Sequence, residues 1–274
     1  MAASFDARRL EPEILGTRFE GKVHHFESVG STMDLALAAA AGGAQCGVWV
    51  ADEQTHGRGR GDHEWLSIVG DGLYVSLLVT PHLPLSQARL IPLLTGLAVR
   101  TGVMEATGLE LDLRWPNDLM FGELKCGGIL VESAGRSGDQ LRYAVIGIGL
   151  NVNHAAFPPA LAKVATSLLL ESGREFDREE ILGPILRQMD HELRILRREF
   201  EGAHKFSRPQ DHILREVEKA STWIRGKHVR VGADEAGSGG YTGWTRGLDQ
   251  DGFLLVEDED GVMRTVLSGG VRSF

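Results

Sequence analysis

Residues 109–153 constrain this chain more than any other stretch. Three apolar, β-rich runs (109–115, 124–133 and 141–153) follow one another with short polar joints. Such joints are compatible with an antiparallel meander, since a parallel crossover needs a dozen or more residues. The stretch before them supplies mixed elements. Residues 22–26 and 48–52 read as strands, and residues 73–80 are strongly strand-like. Between the first two, Ser31 can cap an alanine-rich helix, with Asp34 three residues on as in a capping box and Gly42-Gly43 at its end. Residues 86–107 have helical spacing, with Pro92 an interior exception near the start. The sum is an α+β domain.

The second half changes character. Asp177 and Glu180 look like a second capping box, opening a helix to about Phe200 with Pro184 inside it. Another helix is expected over residues 209–221. After Gly226 come short strands, at 227–232, 241–249, 252–258 and 262–269, punctuated by Gly and Asp. That is enough for a small barrel. A boundary close to Arg225 gives two domains, 1–225 and 226–274. The formal net charge of −9 argues against a nucleic-acid binder, which must neutralise phosphates. Cys46 and Cys126 form no Cys-x-x-Cys, so a cysteine zinc site or disulfide scaffold is not expected, and a reducing cytoplasm is. No signal core or membrane span is read.

Three stretches carry candidate chemistry. In residues 51–65, ADEQTHGRGRGDHEW, Arg58 and Arg60 stand among glycines after a strand. Glycine lets backbone approach a ligand, and arginine presents a donor fork suited to carboxylates and phosphates. The same composition suits a solvated loop or an arginine–glycine patch for RNA. In residues 113–133, Trp115-Pro116 ends a strand, Asn117 and Asp118 sit at a turn, and Lys125 precedes Gly127-Gly128. Asp118 could fix the Lys125 ammonium by a charge-assisted hydrogen bond. In residues 146–153, small residues alternate along a strand, which suits a ligand or another backbone lying against them.

Together, in this order and spacing, the set resembles the biotin–protein ligase family. The landmarks are Gly30-Ser31-Thr32, Gly57-Arg58-Gly59-Arg60 with Trp65, Trp115-Pro116-Asn117-Asp118, Lys125-Cys126-Gly127-Gly128 and Gly147-Ile148-Gly149-Leu150-Asn151. The tail from Gly240 looks like that family's small SH3-like barrel. The resemblance implies a mixed sheet backed by helices, related to class II synthetase catalytic domains, followed by the barrel. It implies that biotin and Mg-ATP give biotinyl-5′-adenylate. The biotin then passes to a lysine of a biotin carboxyl carrier domain.

By the same resemblance, Ser31, Thr32 and Gln54 hold the ureido ring of biotin, and Gly57, Arg58, Lys125, Gly128 and Gly147 line the vitamin. Arg58, Arg60, Trp65, Asn117, Lys125 and Asn151 serve the nucleotide. Lys125, Arg60 and Asp118 are the catalytic set, and Asp118 orients Lys125 or helps hold Mg2+. The Gly-Arg loop is the natural lid over the adenylate. Three departures stand out. Asp62-His63 replaces a later Gly-Arg pair, which bears on how tightly adenylate is retained. Met33 stands where asparagine is frequent, and Arg114 where lysine is.

A lipoate or octanoyl transferase of the same fold is the alternative, with the loop and tail against it. A non-catalytic biotin-binding protein is another, with the intact Arg58, Arg60, Lys125 and Asp118 against it. Family members that repress transcription carry a DNA-binding module of roughly 60 residues. Fewer than 25 residues precede the first matched strand, so no DNA partner is expected. A monomer or homodimer is expected.

Overall fold

The computed structural model describes all residues except 1–3, 62, 82, 137–138, 202–209, 233–239 and 268. A mixed sheet of seven strands forms the larger part. They are β1 (Val23–Val29), β2 (Gly47–Gln54), β3 (Gly72–Val79), β4 (Asp112–Arg114), β5 (Asp118–Phe121), β6 (Leu124–Arg136) and β7 (Gln140–Asn151). Their spatial order is β1-β2-β3-β7-β6-β5-β4. β1 and β2 pair parallel, and all other neighbours pair antiparallel.

The meander from β4 to β7 is as expected, with one strand more. Residues 109–115 yield only β4, and Asp118 opens a separate strand instead of sitting at a turn. Pro116 is the reason: it has no N–H to give the ladder. The turn is closed by Asn117, whose N–H donates to the Arg114 carbonyl at 3.2 Å. At the far end of β5, Gly122 takes a φ of 55°, a left-handed value that allows a tight hairpin into β6. That hairpin brings Lys125 back beside Asp118.

Among the described residues six α-helices accompany the sheet: α1 (Ala7–Leu10), α2 (Thr32–Ala41), α3 (Leu90–Thr107), α4 (Leu168–Ser172), α5 (Arg178–Glu201) and α6 (Asp211–Ala220). Ser31 caps α2 as expected, accepting from the Met33 N–H, and Gly42 closes it. Asp34 does not complete a capping box; its carboxylate pairs with Arg58 instead. α3 starts at Leu90, later than expected, so Pro92 falls in its first turn, where N–H groups lack helical partners anyway. Pro184 remains inside α5.

Two-residue alternation sorts the strands into two faces. On β7, Ala144, Ile146, Ile148 and Leu150 belong to the main core with α3 and α5. Val145 faces the other way, into a small cluster with Met33, Ala36 and Ala40 of α2 and with Trp49 and Leu78. Continuing that second face along β7 gives Gly147 and Gly149, where nothing bulky is supplied by the strand itself.

α3 crosses α5 at Gly102. An ideal Cβ there would lie 2.6 Å from the Ile185 backbone nitrogen. In an open helix, Gly→Ala stabilises by about 1 kcal/mol. Here the sign is expected to reverse. Gly102→Ala should cost about 1–3 kcal/mol by overpacking, measured as a lower urea midpoint with unchanged slope. A stabilised variant would refute this crossing.

The tail forms a separate antiparallel sheet of β8 (Arg225–Val231), β9 (Tyr241–Leu248), β10 (Leu254–Asp258), β11 (Met263–Val266) and β12 (Val271–Ser273). Its order is β11-β10-β9-β8-β12. Four strands were read from the sequence; the fifth, β12, returns to pair with β8. The two sheets share one apolar core and are further joined by polar contacts. The Trp115 indole N–H donates to the Gly252 carbonyl at 3.0 Å, and Lys227 Nζ meets Glu123 Oε1 at 2.5 Å. No helix among the described residues is long and apolar enough to cross a membrane.

Candidate active site

A cavity of about 440 Å3 opens on the glycine-bearing face of the main sheet, beyond the end of α2. Its floor is Gly147 and Gly149 of β7 and Gly128 of β6. Its roof is made by residues 58–61 and 63–65 of the Gly-Arg loop, and Gly269, Gly270 and Arg272 of the tail reach its wall.

One end is polar and sheltered. Thr32 and Ser31 are each 2% exposed, and Ser76, in the middle of apolar β3, is fully buried. Gln54 Oε1 accepts from the Thr32 N–H at 2.9 Å and from its hydroxyl at 3.0 Å. The Thr32 and Ser76 hydroxyls lie 2.8 Å apart. Gln54 Nε2 reaches only the Ser67 hydroxyl, at 3.4 Å. Donors and acceptors fixed in this way suit a small polar ring.

The loop is a strap closed on itself. The Trp65 N–H donates to the Gly57 carbonyl at 2.9 Å, and the Gly59 N–H to the His63 carbonyl at 2.8 Å. A Cβ on Gly57 would come within 2.5 Å of the Trp65 carbonyl oxygen, and one on Gly59 within 2.9 Å of that of His63. These glycines therefore serve the approach of the two limbs of the strap, and Gly57 does not line the cavity. That differs from the ligand contact expected of it. Asp62 lies outside the described residues, while His63 lines the cavity.

Arg58 does line the cavity. Its guanidinium is held by Asp34 at 3.0 Å and by Glu132, so it ties the strap to α2 and β6. Arg60 reaches Asn117 Oδ1 at 3.1 Å, and Asn117 is fixed by donating to the Ile129 carbonyl at 2.8 Å.

Trp65 folds under the strap onto the glycine floor. A Cβ on Gly149 would meet its indole at 2.5 Å, and one on Gly128 at 3.2 Å. Its Nε1–H is buried and bonds to no acceptor among the described residues. Lys125 Nζ stands 5.7 Å from the Trp65 ring centroid.

The charged centre is Asp118 with Lys125 and Arg114. Lys125 Nζ lies 2.5 Å from Asp118 Oδ1. Arg114 takes the other oxygen, with Nη2 at 2.7 Å and Nε at 3.0 Å. Burial raises the Asp118 pKa, but the charges of Lys125 and Arg114 outweigh it and hold the carboxyl below its ordinary value. Both oxygens thus face cations, an arrangement unsuited to a magnesium ligand. Among the described residues no cluster of three His, Cys, Asp or Glu could hold a metal. The metal role expected of Asp118 does not fit.

Asn151 stands apart. It follows Gly149 on the same face of β7, but its Nδ2 donates to the Thr166 carbonyl at 2.9 Å and it does not line the cavity. Sequence reading missed Ser76 and Arg272, and gave Gly149 no role beyond its place in the alternating small residues. A lone serine inside LYVSLLVT, and the second glycine of the same alternation that gave Gly147, were available signals. For Arg272 there was none.

Two family models match the chain. The Biotin/lipoate A/B protein ligase family covers residues 27–151, and the Biotin protein ligase C terminal domain covers residues 225–271. The biotin–[acetyl-CoA-carboxylase] ligase of Mycobacterium tuberculosis is 30% identical over 92% of this chain and 90% of its own. The bifunctional ligase/repressor BirA of Bacillus subtilis is 31% identical over 93% of this chain and 74% of its own. Among solved structures, the biotin protein ligase of Aquifex aeolicus in complex with biotin and ATP is 30% identical. Its TM-score is 0.73, with 93% of this chain and 100% of that one covered. Motifs, sheet and cavity agree with these matches, and the chain belongs to the biotin protein ligase family.

Proposed function

We propose that this chain activates biotin with ATP and transfers it to a lysine of a biotin carboxyl carrier domain. A carboxylate oxygen of biotin attacks the α-phosphorus, and pyrophosphate leaves. The amine of the carrier lysine then attacks the acyl carbon, losing a proton as AMP departs.

One observation carries the reading most directly: the Lys125 ammonium, fixed at 2.5 Å on Asp118, stands over Gly128 in the cavity that Thr32, Gln54 and Arg60 also line. An ammonium placed there stabilises charge that develops on the phosphoryl oxygens. Ser31, Thr32 and Gln54 recognise the ureido ring, and Ser76 supports them. Gly128 and Gly147 let Trp65, Lys125 and Met33 lie close on the sheet, so that the ring rests against these side chains. Arg60, Asn117 and Trp65 serve the nucleotide, with the unpartnered indole N–H as a donor. Arg58 steadies the strap. Magnesium accompanies the phosphates of ATP, and no residue here is assigned to it. The working division is a catalytic domain, 1–225, and a tail domain, 226–274, in a cytoplasmic protein.

The test is transfer itself. With biotin, Mg-ATP and a carrier domain, the protein should biotinylate the carrier but not a carrier whose target lysine is arginine. Transfer of lipoate or octanoate instead of biotin would overturn the proposal, as would no transfer at all.

A further inference from the structure

We infer that Met33 sets the size limit at the closed end of the cavity and so selects the ring admitted there. The inference rests on the biotin reading above. Met33 is the second residue of α2 and is 3% exposed. Its N–H donates to Ser31 Oγ at 3.3 Å, which ties it to the helix cap. Its thioether lies flat on β7: a Cβ on Gly147 would come within 2.8 Å of Met33 Sδ and 3.2 Å of Met33 Cγ. Behind it pack Ala36, Trp49, Leu78 and Val145. In front of it is the cavity. Met33 is therefore the partition between the apolar cluster beneath α2 and the ligand space.

The neighbouring polar groups do a different job. Thr32, Gln54 and Ser76 bond to one another and fix how a polar ring is oriented, but they do not bound its bulk. Trp65 covers Gly149 and Gly128, so Met33 and Trp65 divide the glycine floor between them. Shortening Met33 lets the cavity run on towards Val145. A flexible, polarisable thioether yields to small misfits, whereas a ring carrying an extra substituent must displace it outright.

The experiment is biotin-dependent exchange of pyrophosphate into ATP, with biotin and with a biotin analogue carrying an ethyl group on its sulfur-containing ring. Wild type, Met33→Ala, Met33→Val and Met33→Leu are compared. The ratio of kcat/KM for biotin to that for the analogue should fall about tenfold in the alanine variant, the scale on which one or two methylenes are discriminated. The fall should come mainly through a lower KM for the analogue, with the KM for ATP unchanged. Valine should act in the same direction, and serves if alanine does not fold. Leucine, close in volume, should keep most of the ratio.

A purely structural role predicts a lower melting temperature with an unchanged ratio, and that result would overturn the assignment. If wild type itself exchanges no pyrophosphate with biotin, the biotin reading falls and this inference with it. If wild type is active and the shortened variants keep the ratio, only Met33 is misassigned.

Discussion

Lys125→Ala is expected to slow adenylate formation by about 10²–10³-fold while leaving the fold intact. The side chain is 34% exposed, so little packing is lost with it. What is lost is a preorganised charge. Lys125 is anchored to Asp118 and overlies Trp65 and Gly128, so its ammonium cannot wander far from the floor. Such positioning requires no reorganisation at the moment of reaction, which is why its removal should appear mainly in kcat. Lys125→Arg keeps the charge but replaces a compact ammonium with a planar fork, and should recover only part of the rate. Single-turnover measurements separate the steps. Formation of adenylate should fall more than transfer from adenylate already made, because the first step builds charge on the phosphoryl oxygens. If Lys125→Ala forms adenylate within about fivefold of wild type, Lys125 is not the electrostatic centre of the site.

The sequence was most legible where side-chain chemistry and local geometry coincide. The Asp118–Lys125 contact was readable because both lie on one hairpin, and a hairpin that short leaves few alternatives. At the polar end Thr32 and Gln54 were read only by resemblance and Ser76 not at all: the three come from three elements, and their convergence depends on β2 pairing with β3 beneath α2. The Gly-Arg loop was readable in composition but not in detail. Glycine permits close approach without saying to what, and here the partner of Gly57 and Gly59 is the returning limb of the same loop. Arginine likewise seeks any anion. The partners of Arg58, Asp34 and Glu132, are 24 and 74 residues away. Arg272 entered the cavity wall through packing of the two sheets, a relation that no local pattern encodes.

Asp118→Asn is expected to cost stability and activity together. The carboxylate is 15% exposed and is the shared counter-ion of Lys125 and Arg114. Asparagine keeps the shape but leaves two cations facing each other, and losing one partner of a buried ion pair costs about 3–5 kcal/mol. The sign of the pH dependence follows from the lowered carboxyl pKa. Its stabilisation is fully present above the unfolded value of about 3.9 and is lost as pH falls through the lower folded value. The gap in stability between wild type and variant should therefore stay flat from neutral pH to about pH 5 and narrow only in stronger acid. Adenylate formation should fall as well, since the Lys125 ammonium loses its anchor. Magnesium distinguishes this from a metal-ligand role. A lost ligand weakens metal binding, and excess metal would restore the rate by mass action. A lost anchor is indifferent to metal. Raising magnesium about tenfold above the wild-type requirement should leave the Asp118→Asn rate where it was, and recovery would return Asp118 to the metal.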